Sequence, residues 1–328
     1  MRKSSKRKMA SDRVRKNNQA ARKKNAKPPK SSSARKSQAK TKKSSKSVAR
    51  KSGSKSNQKV TGNSAATPRS TKNAKSTKLP TQKAASREVD LAFSGAPGIF
   101  VGLDAGNFPG LNPLDHWFGQ SPYTWVGYYL NSPCHSATKW KPWMGNWRSL
   151  LQQGWGLALI YVGYQVDGCG SDQLSRAAGI AHGQNTISLL ANDEQMPGGC
   201  TVFLDVEGFD PPLPADMADY VRGWVRALLD DATLKPGIYC SAKNADEVLL
   251  ACQREYADFG LPSGRPLFWI ARYTAGFDLS TSKPRDSGVS YADLWQGKAN
   301  ANETYDGFSI QVDENVSSSA NPSNVRMG

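Results

Sequence analysis

Eight short apolar segments rich in β-branched and aromatic residues crowd into the last 238 residues of this 328-residue chain, and they constrain its fold more than any other feature. The sequence predicts strands over 99–104, 124–130, 157–164, 201–207, 236–241, 267–273, 291–296 and 308–313. Amphipathic helical patterns lie between several of them, over 143–153, 172–190, 215–229 and 242–256. Strands that alternate with such helices build a parallel sheet. Eight of them in a stretch of this length predict an α/β fold, a closed (β/α)8 TIM-type barrel.

The net charge of +17 conceals two different regions. Residues 1–90 carry 29 Lys and Arg against three acids, a net of +26, whereas residues 91–328 carry 15 bases against 24 acids. The first region is Lys, Ser, Ala and Asn, with no aromatic residue before Phe93. It cannot bury enough apolar surface to offset its chain entropy, so it is expected to be a long disordered basic tail, with the barrel domain over 91–328. Two uses suit such a tail. It is predicted to bind polyanions through phosphate-type electrostatics, whether nucleic acid or an anionic envelope surface, or to act as a sorting signal. No apolar run approaches the ~18–20 residues that span a bilayer, and no apolar stretch follows the N-terminal charges as a secretory signal requires. Localisation stays open on this reading: cytoplasmic or nucleic-acid-associated by default, with unconventional secretion as the other course.

Within the fourth segment, Phe203-Leu204-Asp205-Val206-Glu207 sets two carboxylates two residues apart at the end of an apolar run. Side chains alternate along a strand, so Asp205 and Glu207 face the same way, roughly 6–7 Å apart. A strand buried on both faces has no structural use for such a pair. Barrel active sites gather at the C-terminal ends of strands, and other polar residues take matching places. Asp104 ends the first segment, Arg272 and Tyr273 the sixth, Gln296 the seventh and Asp313 the eighth. Four carboxylates converging from three strands would form one acidic cleft, the machinery of glycoside hydrolysis. Tyr128, Tyr161, Tyr239, Trp269, Tyr273 and Trp295 near strand ends would either stack on sugar rings or fill the barrel.

With these residues in hand, the chain resembles the family 25 glycoside hydrolases, the lysozyme-type muramidases. It is closer still to a glycoside-hydrolase-like barrel family of unassigned function. The resemblance runs through Gly102-Leu103-Asp104, Phe203–Glu207, Pro236-Gly237-Ile238-Tyr239-Cys240-Ser241, Phe268-Trp269-Ile270-Ala271-Arg272-Tyr273, Trp295-Gln296 and Val312-Asp313-Glu314-Asn315. It implies Glu207 as general acid and Asp205 as the partner carboxylate that orients substrate, with Asp104 and Asp313 lining the cleft floor. It also implies a β-linked amino-sugar glycan such as peptidoglycan as substrate. The chain departs from the muramidases after Asp104, where 105–123 reads as an unusual loop, and at Gly297 after the Trp-Gln pair.

Two other classes of function compete: a catalytically inactive barrel that binds glycans or scaffolds, and a nucleic-acid-associated protein targeted by its tail. His116, His135 and His182 show no ligand spacing, so neither metal nor cofactor is expected. A monomer is expected. Among the five cysteines no metal spacing appears. They read as small buried hydrophobes, with Cys134 and Cys169, in loops after successive strands, able to pair in an oxidising setting.

Overall fold

The computed structural model describes residues 98–134 and 141–327. The basic tail, with the disorder and domain boundary expected of it, lies outside them. Eight strands close into one barrel in sequence order. They are β1 (Phe100–Asp104), β2 (Trp125–Tyr129), β3 (Gly156–Val162), β4 (Thr201–Val206), β5 (Lys235–Ser241), β6 (Leu267–Ala271), β7 (Leu294–Tyr305) and β8 (Phe308–Ser317). The helices around them are α1 (Leu111–Trp117), α2 (Trp147–Gln153), α3 (Arg176–Ser188), α4 (Ala215–Asp231) and α5 (Ala245–Asp258). Among the described residues no helix is long and apolar enough to cross a membrane.

The expected closed barrel is present, with three local departures. The first is direction: β1 to β7 pair in parallel, but β8 runs antiparallel to both β7 and β1. No helix carries the chain from β7 to β8. Instead Asp306 (φ 48°) and Gly307 (φ 81°) form a two-residue turn, and Asp-Gly is the pair that tolerates positive φ at both central positions. The strands therefore extend beyond the predicted ends as a hairpin arm. The second departure is α1, inside the stretch read as a loop. Pro113 fits its first turn, where no intrahelical N–H is needed, and Leu114 and Trp117 are buried. The third is the β6–β7 connection, which holds one 3₁₀ turn, Pro284–Ser287, rather than a full helix.

Two layers of apolar packing follow from alternation along the strands. Trp125, Ala158, Ile160, Phe203, Trp269 and Leu294 fill the barrel interior. The opposite faces of the strands meet the helices in the larger core, with Tyr128, Tyr161, Leu204 and Ile238 among its members. Bulky interior rings need facing space. A Cβ on Gly102 would come within 2.0 Å of the Trp125 indole, and one on Gly237 within 2.6 Å of Phe203. Cys134 and Cys169 form a disulfide with Cα atoms 5.7 Å apart, joining the loops that follow β2 and β3. Cys200, Cys240 and Cys252 are free and buried.

Candidate active site

Closure of the barrel brings the four carboxylates to its mouth. Asp104 and Asp313 are directly paired in the β1–β8 register, although β8 arrives from the opposite direction. Asp313 thus sits within its strand rather than at its end, and reaches the cleft because β8 descends into the barrel. Asp205 and Glu207 share one side of the β4 line, as alternation requires. Glu207 opens onto a cavity of about 760 Å3, within the usual range of ligand sites, whose wall includes Asp210, Lys243, Asn244, Arg272 and Tyr273.

One half of this cluster is densely hydrogen-bonded. Asp104 is 4 % exposed. Its Oδ1 accepts from the Tyr129 hydroxyl at 2.7 Å, and its Oδ2 from Asn315 Nδ2 at 2.8 Å and Gln296 Nε2 at 3.3 Å. Asp313 accepts from Gln296 Nε2 at 2.6 Å and from the Asn300 N–H at 2.7 Å. Asn315 is held in turn by the Trp269 indole, which donates to its Oδ1 at 2.9 Å. Gly127 leaves the room Asp104 needs: a Cβ there would lie 2.5 Å from the Asp104 Cβ.

The other half is open. Asp205 Oδ1 is buried with no hydrogen-bond partner among the described residues. The backbone beneath it is fixed by Gln165, whose Nε2 donates to the Asp205 carbonyl at 3.0 Å and whose Oε1 accepts the Glu207 N–H at 2.8 Å. Burial, then the neighbouring Glu207 and Asp104 charges, raise the Asp205 carboxyl well above the ordinary aspartate range. Burial also raises Glu207, against the Tyr239 hydroxyl, which favours the charged form, with the Asp313 charge adding to the rise. Asp313 is raised by burial, against the Asn300 N–H. Asp104 is raised to about 7, by burial first and the Asp313 charge second, against three hydrogen bonds that favour its charged form.

The structure brings most of the predicted site residues together. Gln296 lies between the two halves, and Tyr239 and Tyr273 both donate to its Oε1. Arg272 and Tyr273 line the cavity, and the Arg272 Nη1 donates to the Ser287 carbonyl at 2.6 Å. Trp269 lies in the barrel interior, wholly buried, so it supports the site without facing the cleft.

Three further predicted residues are not brought to the cleft. Tyr128 and Tyr161 point outward beneath the helices, where their hydroxyls donate to Glu194 and Asn185. Trp295 occupies the face of β7 opposite Gln296, against Phe277, with its indole donating to the Arg272 carbonyl. The correction is one of strand parity, since neighbouring residues on a strand face opposite ways. Tyr129 is the site tyrosine on β2, and Gly127, on its side, was the available sign. Asn315 shares the parity of Asp313. Gln165 lies in a loop, and no local pattern marks it.

The profile of the Rv2525c-like, glycoside hydrolase-like domain matches residues 115–317. No curated protein sequence matches the chain. Among solved structures, the Tat-secreted protein Rv2525c of Mycobacterium tuberculosis, crystallised with HEPES, is 18 % identical with a TM-score of 0.40, over 66 % of this chain and 94 % of that one. GHIP, a glycosyl hydrolase 25 of Streptococcus pneumoniae, is 15 % identical with a TM-score of 0.42, over 66 % and 86 %. The spore cortex lytic enzyme SleM of Clostridium perfringens is 15 % identical with a TM-score of 0.45, over 68 % of each chain. With its profile matched across more than half of the sequence, the chain belongs to the Rv2525c-like, glycoside hydrolase-like domain family.

Proposed function

We propose that the barrel hydrolyses a β-linked amino-sugar glycan such as peptidoglycan, with Glu207 as general acid and Asp205 as its partner carboxylate. The observation that carries this reading is the open half of the cluster. A buried carboxylate oxygen left without a donor carries a cost of about 1–3 kcal/mol, and a substrate N–H or O–H removes it. Asn244, in the cavity wall, holds a second unpartnered oxygen. The acetamido N–H of an amino sugar suits Asp205, which lies one strand step deeper than Glu207. Glu207 must donate a proton to the leaving oxygen, and its raised proton affinity favours the acid form that does so. Asp104, Asp313 and Gln296 form the floor, and Arg272 and Tyr273 the wall.

Residues 1–90 form a separate cationic arm in this proposal, which concentrates the barrel on an anionic surface. Its charge of +26 predicts salt-sensitive polyanion binding that a chain lacking those residues loses. The test of the enzyme reading is reducing-end release from insoluble peptidoglycan and chitin-type polymers by the purified chain, beside Glu207→Gln. Release that vanishes in the variant supports the assignment. Co-sedimentation with a polymer but no release by either protein overturns it in favour of a glycan-binding barrel.

A further inference from the structure

The main chain of β3 pairs with β4 only as far as Val162 opposite Asp205. On its other edge β4 stays paired with β5 one residue longer, to Val206 opposite Cys240. Glu207 is thus the first residue beyond the strand, and Gly208 follows it at φ 84°. A side chain carried by such a segment swings with its backbone unless something holds that backbone.

Gln165 fills the missing place on the β3 edge. Its Nε2 donates to the Asp205 carbonyl at 3.0 Å, and its Oε1 accepts the Glu207 N–H at 2.8 Å. In a parallel ladder, a residue opposite Val206 would make the same two bonds, to the carbonyl before Val206 and to the N–H after it. Here a side-chain amide stands in for that main-chain partner. The amide cannot turn over, since its NH2 would then face the Glu207 N–H and its oxygen the Asp205 carbonyl.

The segment that bears Gln165 is itself held. The Gln165 N–H donates to the Cys169 carbonyl at 3.1 Å, which closes a turn over 165–169. The disulfide ties Cys169 to Cys134 in the loop after β2. On the far side of Glu207 the same turn comes close to Gly208, where a Cβ would lie 3.0 Å from the Asp167 nitrogen. The loop after β3 therefore clasps the chain both before and after Glu207.

We propose that Gln165 is a positioning residue, which extends the β3–β4 ladder by one rung and so fixes the backbone from which Glu207 reaches the cavity. The inference rests on the reading of Glu207 as general acid and names the group that aims it. Proton transfer tolerates little displacement, and about 1 Å of misplacement costs on the order of 100-fold in rate.

The test pairs hydrogen exchange with kinetics on the full chain. With 15N-glutamate labelling, and Glu207→Gln to identify the signal, the Glu207 N–H of the unaltered protein is expected to exchange at least about tenfold slower than an open amide. Exchange at the open-chain rate overturns the proposal, whether or not any variant folds. Gln165→Met keeps the length of the side chain and loses both bonds. It is expected to speed that exchange about five- to tenfold, the effect of one lost hydrogen bond. It is also expected to lower kcat on soluble peptidoglycan fragments about 10–100-fold, with KM changed by less than about twofold. A variant that only unfolds more easily, with kcat kept, shows a merely structural role and overturns the proposal. No release by the unaltered chain sinks the glycosidase reading instead, and the exchange rates still decide the clasp.

Discussion

Glu255 and Asp205 are both carboxylates within the protein, and their surroundings are opposite. Glu255 sits on α5 with its side chain wholly buried, facing arginines from two other helices. Arg176 of α3 grips both its oxygens at 2.8 and 2.6 Å, Arg222 of α4 donates at 3.1 Å, and Arg226 lies at 3.7 Å. Burial pushes its proton affinity up, yet Arg176 and Arg222 more than compensate, and its pKa falls below the ordinary value. Among the described residues Asp205 has no ion-pair partner and its buried oxygen no donor, and its pKa is raised. A charge placed to hold helices together is neutralised where it stands. On the proposed reading Asp205 is a carboxyl kept for a ligand and left unfinished, and the cost is carried by the rest of the fold.

The contrast can be broken most sharply through activity. Glu207→Gln is expected to lower turnover by about 10²–10⁴-fold, the usual contribution of a positioned general acid, with the fold intact by circular dichroism. Stability should then separate the two regions. Glu255→Gln strips the arginines of their shared counter-charge and is expected to cost about 2–3 kcal/mol in urea unfolding, at the lower end for a buried pair because the arginines are partly exposed. Asp104→Asn keeps one oxygen and turns an amide N–H either toward the Tyr129 hydroxyl or toward the Asn315 and Gln296 amides, and should cost about 1–3 kcal/mol. Asp205→Asn relieves repulsion and should leave stability unchanged or higher while reducing activity. A strongly destabilised Asp205→Asn protein would mean that the open half is structural after all.

Dependence on pH sharpens the same comparison, because the two regions act in opposite windows. Asp104 titrates near 7 in the folded state against an ordinary 3.8, so the folded state binds its proton more tightly. The stability it contributes is complete below about 4 and is lost as pH rises through about 7, at up to about 1.4 kcal/mol per pH unit. The raised values of Asp205, Asp313 and Glu207 add to that decline. Glu255 is lowered from 4.5, so its contribution is present above that value and lost on further acidification. Urea unfolding from pH 3 to 8 should show Asp104→Asn flattening the decline on the high side and Glu255→Gln flattening the loss on the acid side. Coincident profiles would remove the distinction.

Much of the site is legible in the sequence, because it rests on local periodicity. Apolar runs mark the strands, and spacing by two puts Asp205 and Glu207 on one side. Periodicity alone does not say which parity faces inward, and so Tyr128 stands in the sequence reading where Tyr129 belongs. The Asp306-Gly307 pair is a readable hairpin signal, yet a barrel made of alternating strands and helices predicts a crossover there.

The sequence by itself determined the existence and order of the strands, the carboxylate pair on β4, and the break in charge near residue 90. These are properties of neighbours along the chain. The tertiary structure decided that β8 enters antiparallel and sets Asp313 opposite Asp104, and that Gln296 joins them to Tyr239. It also decided that Gln165 pins the β4 backbone and that three arginines converge on Glu255. Each of these depends on how a closed sheet and its helices bring together residues up to some two hundred positions apart, and no local pattern encodes that meeting.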